Sequence, residues 1–449
     1  MHISKYKSLL LCLLLAGEMT AQQELMLSSM PDLWHSNSIN PAIFPAGKRF
    51  FIGGPAYSLD AAHSSKVAYG DIFRKDGNRT LIDLGNVINK LDPENEVFFD
   101  QRIETVSLGI RSKNDNWGLQ IGHAIVTSGW GKYPKSLAEV LWYGNAPYIG
   151  QTLEIGPKAD IFDWHEWSVG LSRRFGQLDI GARFKFLTGA GSLQTDENRT
   201  LMSIYTDPDI YQLTLKTDYV FYSSSIVEAV DTAGYGYKFR TNSFGGQPSF
   251  QNAGMAFDVG FRAQLSEHLS IHASALNLGG SIEWKENVSA FTSSNQYFYE
   301  GANIPGIDII NGSDNLDFDA KLDTLNDIFQ FEKSTPDRAF KSELPLRIFA
   351  GGNYQLTERW SLGFSAMYQS LANRTNTALG VSARWQVLRW VSLGGMYSAN
   401  SRTPGNLGFH LLLNPGPLQV YVLSDNLLNG FSAKNSPAVN FRLGGALVF

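Results

Sequence analysis

Residues Ala438 to Phe449 read Ala-Val-Asn-Phe-Arg-Leu-Gly-Gly-Ala-Leu-Val-Phe. The odd positions carry Val439, Phe441, Leu443, Leu447 and Phe449, and the even positions carry Asn440, Arg442, Gly444 and small residues. A period of two makes this a β-strand with one apolar face and one polar or small face. The sequence ends on an aromatic inside the alternation, whereas the end of a soluble chain usually frays. A last strand with an apolar outward face is what a transmembrane barrel needs to close on its first strand, and Phe449 is expected at that closure. An ordinary sandwich strand shows the same alternation, so the remaining segments have to decide.

The alternation returns along the chain. Leu178, Ile180, Ala182, Phe184 and Phe186 interleave with Asp179, Gly181, Arg183 and Lys185. Met255, Phe257, Val259 and Phe261 interleave with Asp258, Gly260 and Arg262. The same holds from Trp360 to Gln369 and from Thr377 to Val387, where Arg384 falls on the polar face. A Lys or Arg on the lipid face at the bilayer midplane costs roughly 2–4 kcal/mol, and turning the Leu178 strand by one residue would expose three charges together. The lumen-lining set predicted from this register is Asp179, Arg183, Lys185, Asp258, Arg262, Arg347, Arg384 and Arg442.

The connections are lopsided. Tight turns rich in Gly, Asn, Ser and charge are predicted at Ser112–Asn116, Arg174–Gln177, Ser266–His268, Thr357–Arg359, Leu388–Arg389 and Asn414–Gly416. Between them lie long connections at Asp60–Glu96, Ser128–Asp163, Thr188–Asn252 and Gly280–Glu343, and shorter ones at Leu371–Thr375, Ala399–Gly405 and Asp425–Pro437. Six short turns alternating with seven longer connections give about fourteen strands, an even number with both ends on one side. The fold class expected is all-β: a transmembrane up-and-down antiparallel β-barrel with short periplasmic turns and long outer loops. Trp117, Trp360 and Trp390 fall beside tight turns, where an interfacial girdle belongs. Three short helices are predicted in the outer loops, at Leu81–Leu91, Leu137–Tyr143 and Asp319–Phe331, the second opened by a capping box at Ser136-Leu137-Ala138-Glu139.

Lys5 and Lys7, the apolar run Leu9–Ala16 and Thr20-Ala21 have the layout of a secretory signal peptide over residues 1–21. Residues 22–48 then form an N-terminal periplasmic or plug segment containing Asn40-Pro41, and residues 49–449 the barrel. Cys12 is the only cysteine and lies in the leader, which removes disulfides, Cys–zinc sites and a Cys nucleophile from the mature chain. Mean hydropathy of −0.16 is too polar for a helical membrane protein and suits a barrel. A net charge of −5 makes nucleic acid an unsuitable partner. His268 and His272 are four apart; on a strand that is about 13 Å, too far to share an ion. His165, in Asp163-Trp164-His165-Glu166, reads more readily as part of an interfacial Trp cluster than as a site. There is no nucleophile elbow, phosphate loop or His-Glu-x-x-His, so no enzyme activity, metal or cofactor is expected.

Gly416-Pro417-Leu418-Gln419-Val420-Tyr421, Ser424-Asp425-Asn426 and the closing Asn440-Phe441-Arg442-Leu443-Gly444 resemble a domain-of-unknown-function family of Bacteroidota outer-membrane barrels. Asn40-Pro41-Ala42 is similar to the opening of FadL-type hydrophobic-compound transporters and of barrels associated with type IX secretion. The resemblance implies an outer-membrane location, with membrane lipid and the barrel-assembly machinery as partners. Two functions stay open. One is passage of a small hydrophobic solute; the other is a non-enzymatic assembly or secretion role in which the outer loops hold another protein. The inward basic residues outnumber the inward acids at Asp179 and Asp258. The expectation is that Glu24 or Asp32 of the N-terminal segment supplies the balance, because unpaired charge in a closed lumen is costly.

Overall fold

Antiparallel pairing runs without a break around the chain and returns to its start. In the computed structural model, which describes residues 24–65, 67, 71, 73–76, 79–230, 236–239, 246–299, 331–336, 339–371, 374–400, 405–426 and 438–449, fourteen strands close a barrel. They are β1 (Phe50–His63), β2 (Glu94–Arg111), β3 (Trp117–Pro134), β4 (Lys158–Phe175), β5 (Leu178–Thr206), β6 (Ala253–Gln264) and β7 (Leu269–Trp284). The second half is β8 (Leu346–Gln355), β9 (Trp360–Leu371), β10 (Arg374–Leu388), β11 (Val391–Asn400), β12 (Asn406–Leu413), β13 (Leu418–Ser424) and β14 (Ala438–Val448). Each strand pairs with the next, and β14 pairs with β1 from Phe51↔Val448 to Ala62↔Ala438. At the seam the carbonyl of Phe449 accepts from the amides of Arg49 and Phe50, and the amide of Phe449 donates to Phe50. The predicted leader and residues 319–330 of the third predicted helix lie outside the described residues.

The outward face follows the predicted register. Ile180, Phe184, Met255, Phe257, Val259, Phe261, Leu362, Phe364, Leu379, Val381, Leu443 and Leu447 are exposed large apolar side chains, while their strand neighbours Asp179, Arg183, Lys185, Asp258 and Arg442 are buried. An apolar outer belt over a polar inner face makes this a transmembrane β-barrel. Trp117, Trp360, Trp385 and Trp390 are exposed at the turn end, with the Trp360 and Trp385 rings stacked 5.7 Å apart. All six tight turns are found; Asp115 and Gly416 adopt the left-handed conformation there at φ 56° and 65°.

At the opposite end the chain departs from the expected loops. β5 is 29 residues long, far more than the 9–11 a membrane needs, so its second half stands clear of the bilayer. There it pairs with Leu213–Ser224, which in turn pairs with Val288–Ser293 and Gln296–Tyr299. The stretches expected as loops at Thr188–Asn252 and Gly280–Glu343 are therefore partly sheet. Outside the membrane a strand buries its face on protein, and the lipid-driven alternation that reveals it in sequence is lost. This outer sheet has its own core, built from Val140, Ile155, Met202, Ile204, Leu213, Leu215 and Tyr219. Helices α1 (Leu84–Lys90) and α2 (Lys135–Tyr143) sit in the predicted loops. Asp83 caps α1 by accepting from the Asn86 amide. The capping box at Ser136 does not form: α2 starts two residues earlier than expected, behind Pro134, and the Ser136 hydroxyl donates instead to the Glu154 carbonyl.

Candidate functional site in the barrel interior

The N-terminal segment lies inside the barrel. It holds one helical turn at Leu25–Ser28 and a 3-10 turn at Trp34–Ser38, and Leu25, Met26, Leu27, Met30 and Leu33 have no exposed surface. Elements this short do not hold their shape alone in water; here the barrel wall supplies their partners. Asp425, just past β13, accepts from the amides of Leu25 and Met26 at 3.1 and 2.8 Å, which caps the helical turn. Burial pushes the Asp425 carboxyl up to about 7 despite those two donors. Gln419 accepts from the Trp34 amide at 3.0 Å and donates to the Asp32 carbonyl at 2.9 Å. The Gly-Pro-x-Gln and Ser-Asp-Asn pieces are thus the ones that grip this segment.

The segment has an apolar and a polar side, and the lumen matches both. Leu25, Met26, Leu27, Met30, Leu33 and Ile39 pack against inward side chains of β7 to β13: Leu276, Phe349, Met367, Met396, Leu412 and Leu423. Trp34 stacks on Phe51 at 4.6 Å and meets Phe44 edge-on at 5.5 Å, and its indole donates to Ser107 at 2.8 Å. That ring fits because Gly109 lies beneath it, where a Cβ would come within 2.3 Å of the indole. Asn40 donates to the carbonyls of Phe261 and Ala273 at 3.1 and 3.2 Å, and the Pro41 carbonyl accepts from Gln120 at 3.4 Å.

The polar side is a chain of ion pairs that begins and ends on the segment. Glu24 pairs with Arg442, which reaches Glu104 at 2.6 Å and also donates to the Tyr421 hydroxyl at 3.0 Å and to Ser38 at 3.1 Å. Arg102 joins Glu104 at 3.4 Å to Glu166 at 2.9 Å, and Lys185 links Glu166 at 3.3 Å to Asp258 at 3.0 Å. Asp258 takes Arg183 at 2.8 Å, and Arg183 donates onward to the carbonyls of Asn37 and Ser38 at 3.2 and 2.6 Å. Beside this chain His35 is fully buried, and desolvation lowers it to about 4 although Glu104 opposes the shift.

The remaining residues of the predicted lumen set separate into smaller groups. Asp179 is buried between Arg174 at 2.9 Å and Arg111 at 3.1 Å, near the turn end. Arg347 pairs with Asp100 at 2.7 Å, and Arg384 with Asp32 at 2.9 Å. Arg262 stands in register with Asp179 on one side and His272 on the other. Both candidate acids of the segment, Glu24 and Asp32, meet an inward arginine. The expected excess of positive charge is not found, because Asp60, Asp100, Glu104 and Glu166 are also buried in the interior. Their strands alternate imperfectly: a bulge between Glu104 and Val106 breaks the period of two, which hid Glu104 from a register reading.

His272 is buried on the inward side and His268 sits at its turn, apart as expected. His165 is joined by a hydrogen bond of 3.1 Å to His123, whose ring lies 4.1 Å from that of Trp167, so the cluster around it is polar as well as aromatic. Among the described residues no group of three or more His, Cys, Asp or Glu is placed to hold a metal ion. Two interior cavities, one beside Asp60 and Asp100 and one beside His35 and Glu104, measure about 20 and 30 Å³, room for a water or two.

Several solved barrels are similar in architecture. The toluene transporter TodX of Pseudomonas putida is 10% identical, with 92% of this chain and 94% of that chain covered and a TM-score of 0.42. A FadL homologue of Pseudomonas aeruginosa is 12% identical over 96% and 94%, also at 0.42. The translocator domain of the autotransporter NalP from Neisseria meningitidis is 8% identical over 95% and 100%, at 0.34. At these identities the likeness is one of barrel architecture, which the strand pairing already establishes. No curated protein matches the sequence. A family model described as a family of unknown function, DUF5723, matches residues 41–425.

Proposed function

We infer, for a chain that belongs to the DUF5723 family of unknown function, an outer-membrane barrel shut at rest by its own N-terminal segment and opening for a small hydrophobic solute. The observation that carries this reading is the apolar half of the lumen. The inner face of a membrane barrel is ordinarily polar. Here Leu276, Phe349, Met367, Met396, Leu412 and Leu423 point inward, and the Leu and Met side chains of residues 25–33 fill the space they surround. Methionine surfaces adapt to apolar guests of varied shape. With the segment withdrawn, that face accommodates a hydrophobic guest, while the ion-pair chain on the other wall is the fastening that holds the segment in. The location, leader cleavage and assembly by the barrel machinery follow from the same reading.

The second reading, a barrel that holds another protein through its outer region, is favoured by the outer sheet with its separate core. Conductance separates the two. Full-length protein in planar bilayers is expected to be silent, and protein lacking residues 22–48 to conduct and to bind an apolar fluorophore in its lumen. A steady current from the intact protein removes the plug. A truncated barrel that folds but neither conducts nor binds the fluorophore supports the scaffold instead.

A further inference from the structure

A concavity lies on the outside of the barrel, across the closure seam. It measures about 740 Å³ and is lined by Ile52, Leu418, Val420, Val422, Leu443 and Leu447 over a floor at Gly54, Pro55 and Gly445. Its origin is local. The β1–β14 register slips between Gly53 and Ala56, and Pro55 in that slip has no amide to donate. Opposite it, Gly445 leaves an outward position without a side chain, and a Cβ on Gly54 would have only the Gly445 carbonyl near it, at 3.5 Å. The wall here is bare backbone, walled by apolar side chains that are each about two-fifths exposed.

The groove lies toward the turn end, within a few residues of Phe50 and Phe449, which the proposed orientation places in the periplasmic leaflet. Its volume is in the range of ligand pockets, and its shape is an open apolar groove. In the proposed orientation it faces lipid, and apart from Tyr421, whose hydroxyl is engaged by Arg442, its lining carries no polar side chain. Lys48 and Arg49 precede β1 on the same rim, which the proposed orientation sets toward the phosphate headgroups. We propose that this groove binds one acyl chain of a periplasmic-leaflet phospholipid, laid over the weak point of the seam with its phosphate toward Lys48 and Arg49. The chain replaces the side-chain cover that Gly54 and Gly445 cannot give. This inference rests on the membrane orientation of the proposed function and not on the opening of the lumen.

The test uses full-length protein in vesicles of phosphatidylethanolamine carrying a diazirine in one acyl chain. Photolabelling is expected to concentrate on peptides 411–422 and 443–447, above labelling of the equally apolar outer face at Met255–Phe261. Gly445→Leu and, from the side wall, Val420→Trp fill the groove, and each is expected to lower that labelling about tenfold while the barrel still shifts on heating in gels. Lys48→Glu with Arg49→Glu lowers labelling by the phospholipid and leaves labelling by an uncharged diazirine alkane unchanged, which separates a membrane lipid from a free hydrophobic solute. Uniform labelling around the belt overturns the proposal. So does groove labelling that persists in both filled variants, or a cross-linked dimer through the same peptides in place of lipid adducts.

Discussion

Replacing Arg442 by methionine is expected to release the N-terminal segment and to destabilise the folded barrel by about 3–5 kcal/mol, the usual cost of removing one partner from a buried ion pair. Arg442 is 2% exposed and joins Glu24 of the segment to Glu104 of the wall. Without it Glu24 stays buried with no cation beside it, and Glu104 keeps Arg102 at 3.4 Å. Methionine keeps most of the volume, so packing is not the cause of the loss. Hydrogen exchange of residues 24–45 should accelerate, and the urea midpoint in vesicles should fall. The added substitution Glu24→Gln should restore most of the stability, because the penalty belongs to the orphaned charge rather than to a missing attraction. Unchanged protection of residues 24–45 in Arg442→Met would mean that the apolar contacts alone hold the segment.

How far the sequence carried depends on what drove each pattern. Lipid drove the outward positions of Leu178–Phe186 and Met255–Phe261, so their register was legible to the residue, and with it the inward placement of Arg183, Lys185 and Asp258. Hairpin chemistry made the six turns legible for the same kind of local reason. The upper half of β5 was not legible, since Asp196-Glu197-Asn198-Arg199 lies in the part of the strand beyond a membrane's thickness, where no lipid enforces alternation. Glu104 was hidden by a bulge, and Glu166 by Trp164 and Trp167 around it in β4. Pairings such as Glu24 with Arg442 join residues hundreds of positions apart. Charge balance could name Glu24 and Asp32 as partners for inward arginines, but not which arginine each would meet.

Gly181→Ala is expected to dislodge the Asn40-Pro41-Ala42 stretch while leaving the wall intact. Gly181 faces inward on β5, and a Cβ there would lie 2.4 Å from the Pro41 carbonyl carbon and 2.5 Å from the Ala42 nitrogen. Both are backbone atoms, so no rotamer change relieves the clash. The wall strand is held by its pairings to Ser172 and Gly260 on either side, whereas the segment is held at this point only by side-chain hydrogen bonds, from Asn40 to Phe261 and Ala273, from Gln120 to the Pro41 carbonyl and from Ser274 to the Ile39 carbonyl. The segment therefore moves. Overpacking of this kind costs about 1–3 kcal/mol, enough to populate a displaced segment without unfolding the barrel. Gly395→Ala is the matched control, since its Cβ would meet only the Gly408 carbonyl at 3.7 Å. Exchange of residues 36–45 should rise in the first variant and not in the second, and bilayer current should appear in the first alone. Equal protection in the two variants would show that the segment does not lie against β5, and the ion-pair chain through Arg183 would lose its anchor.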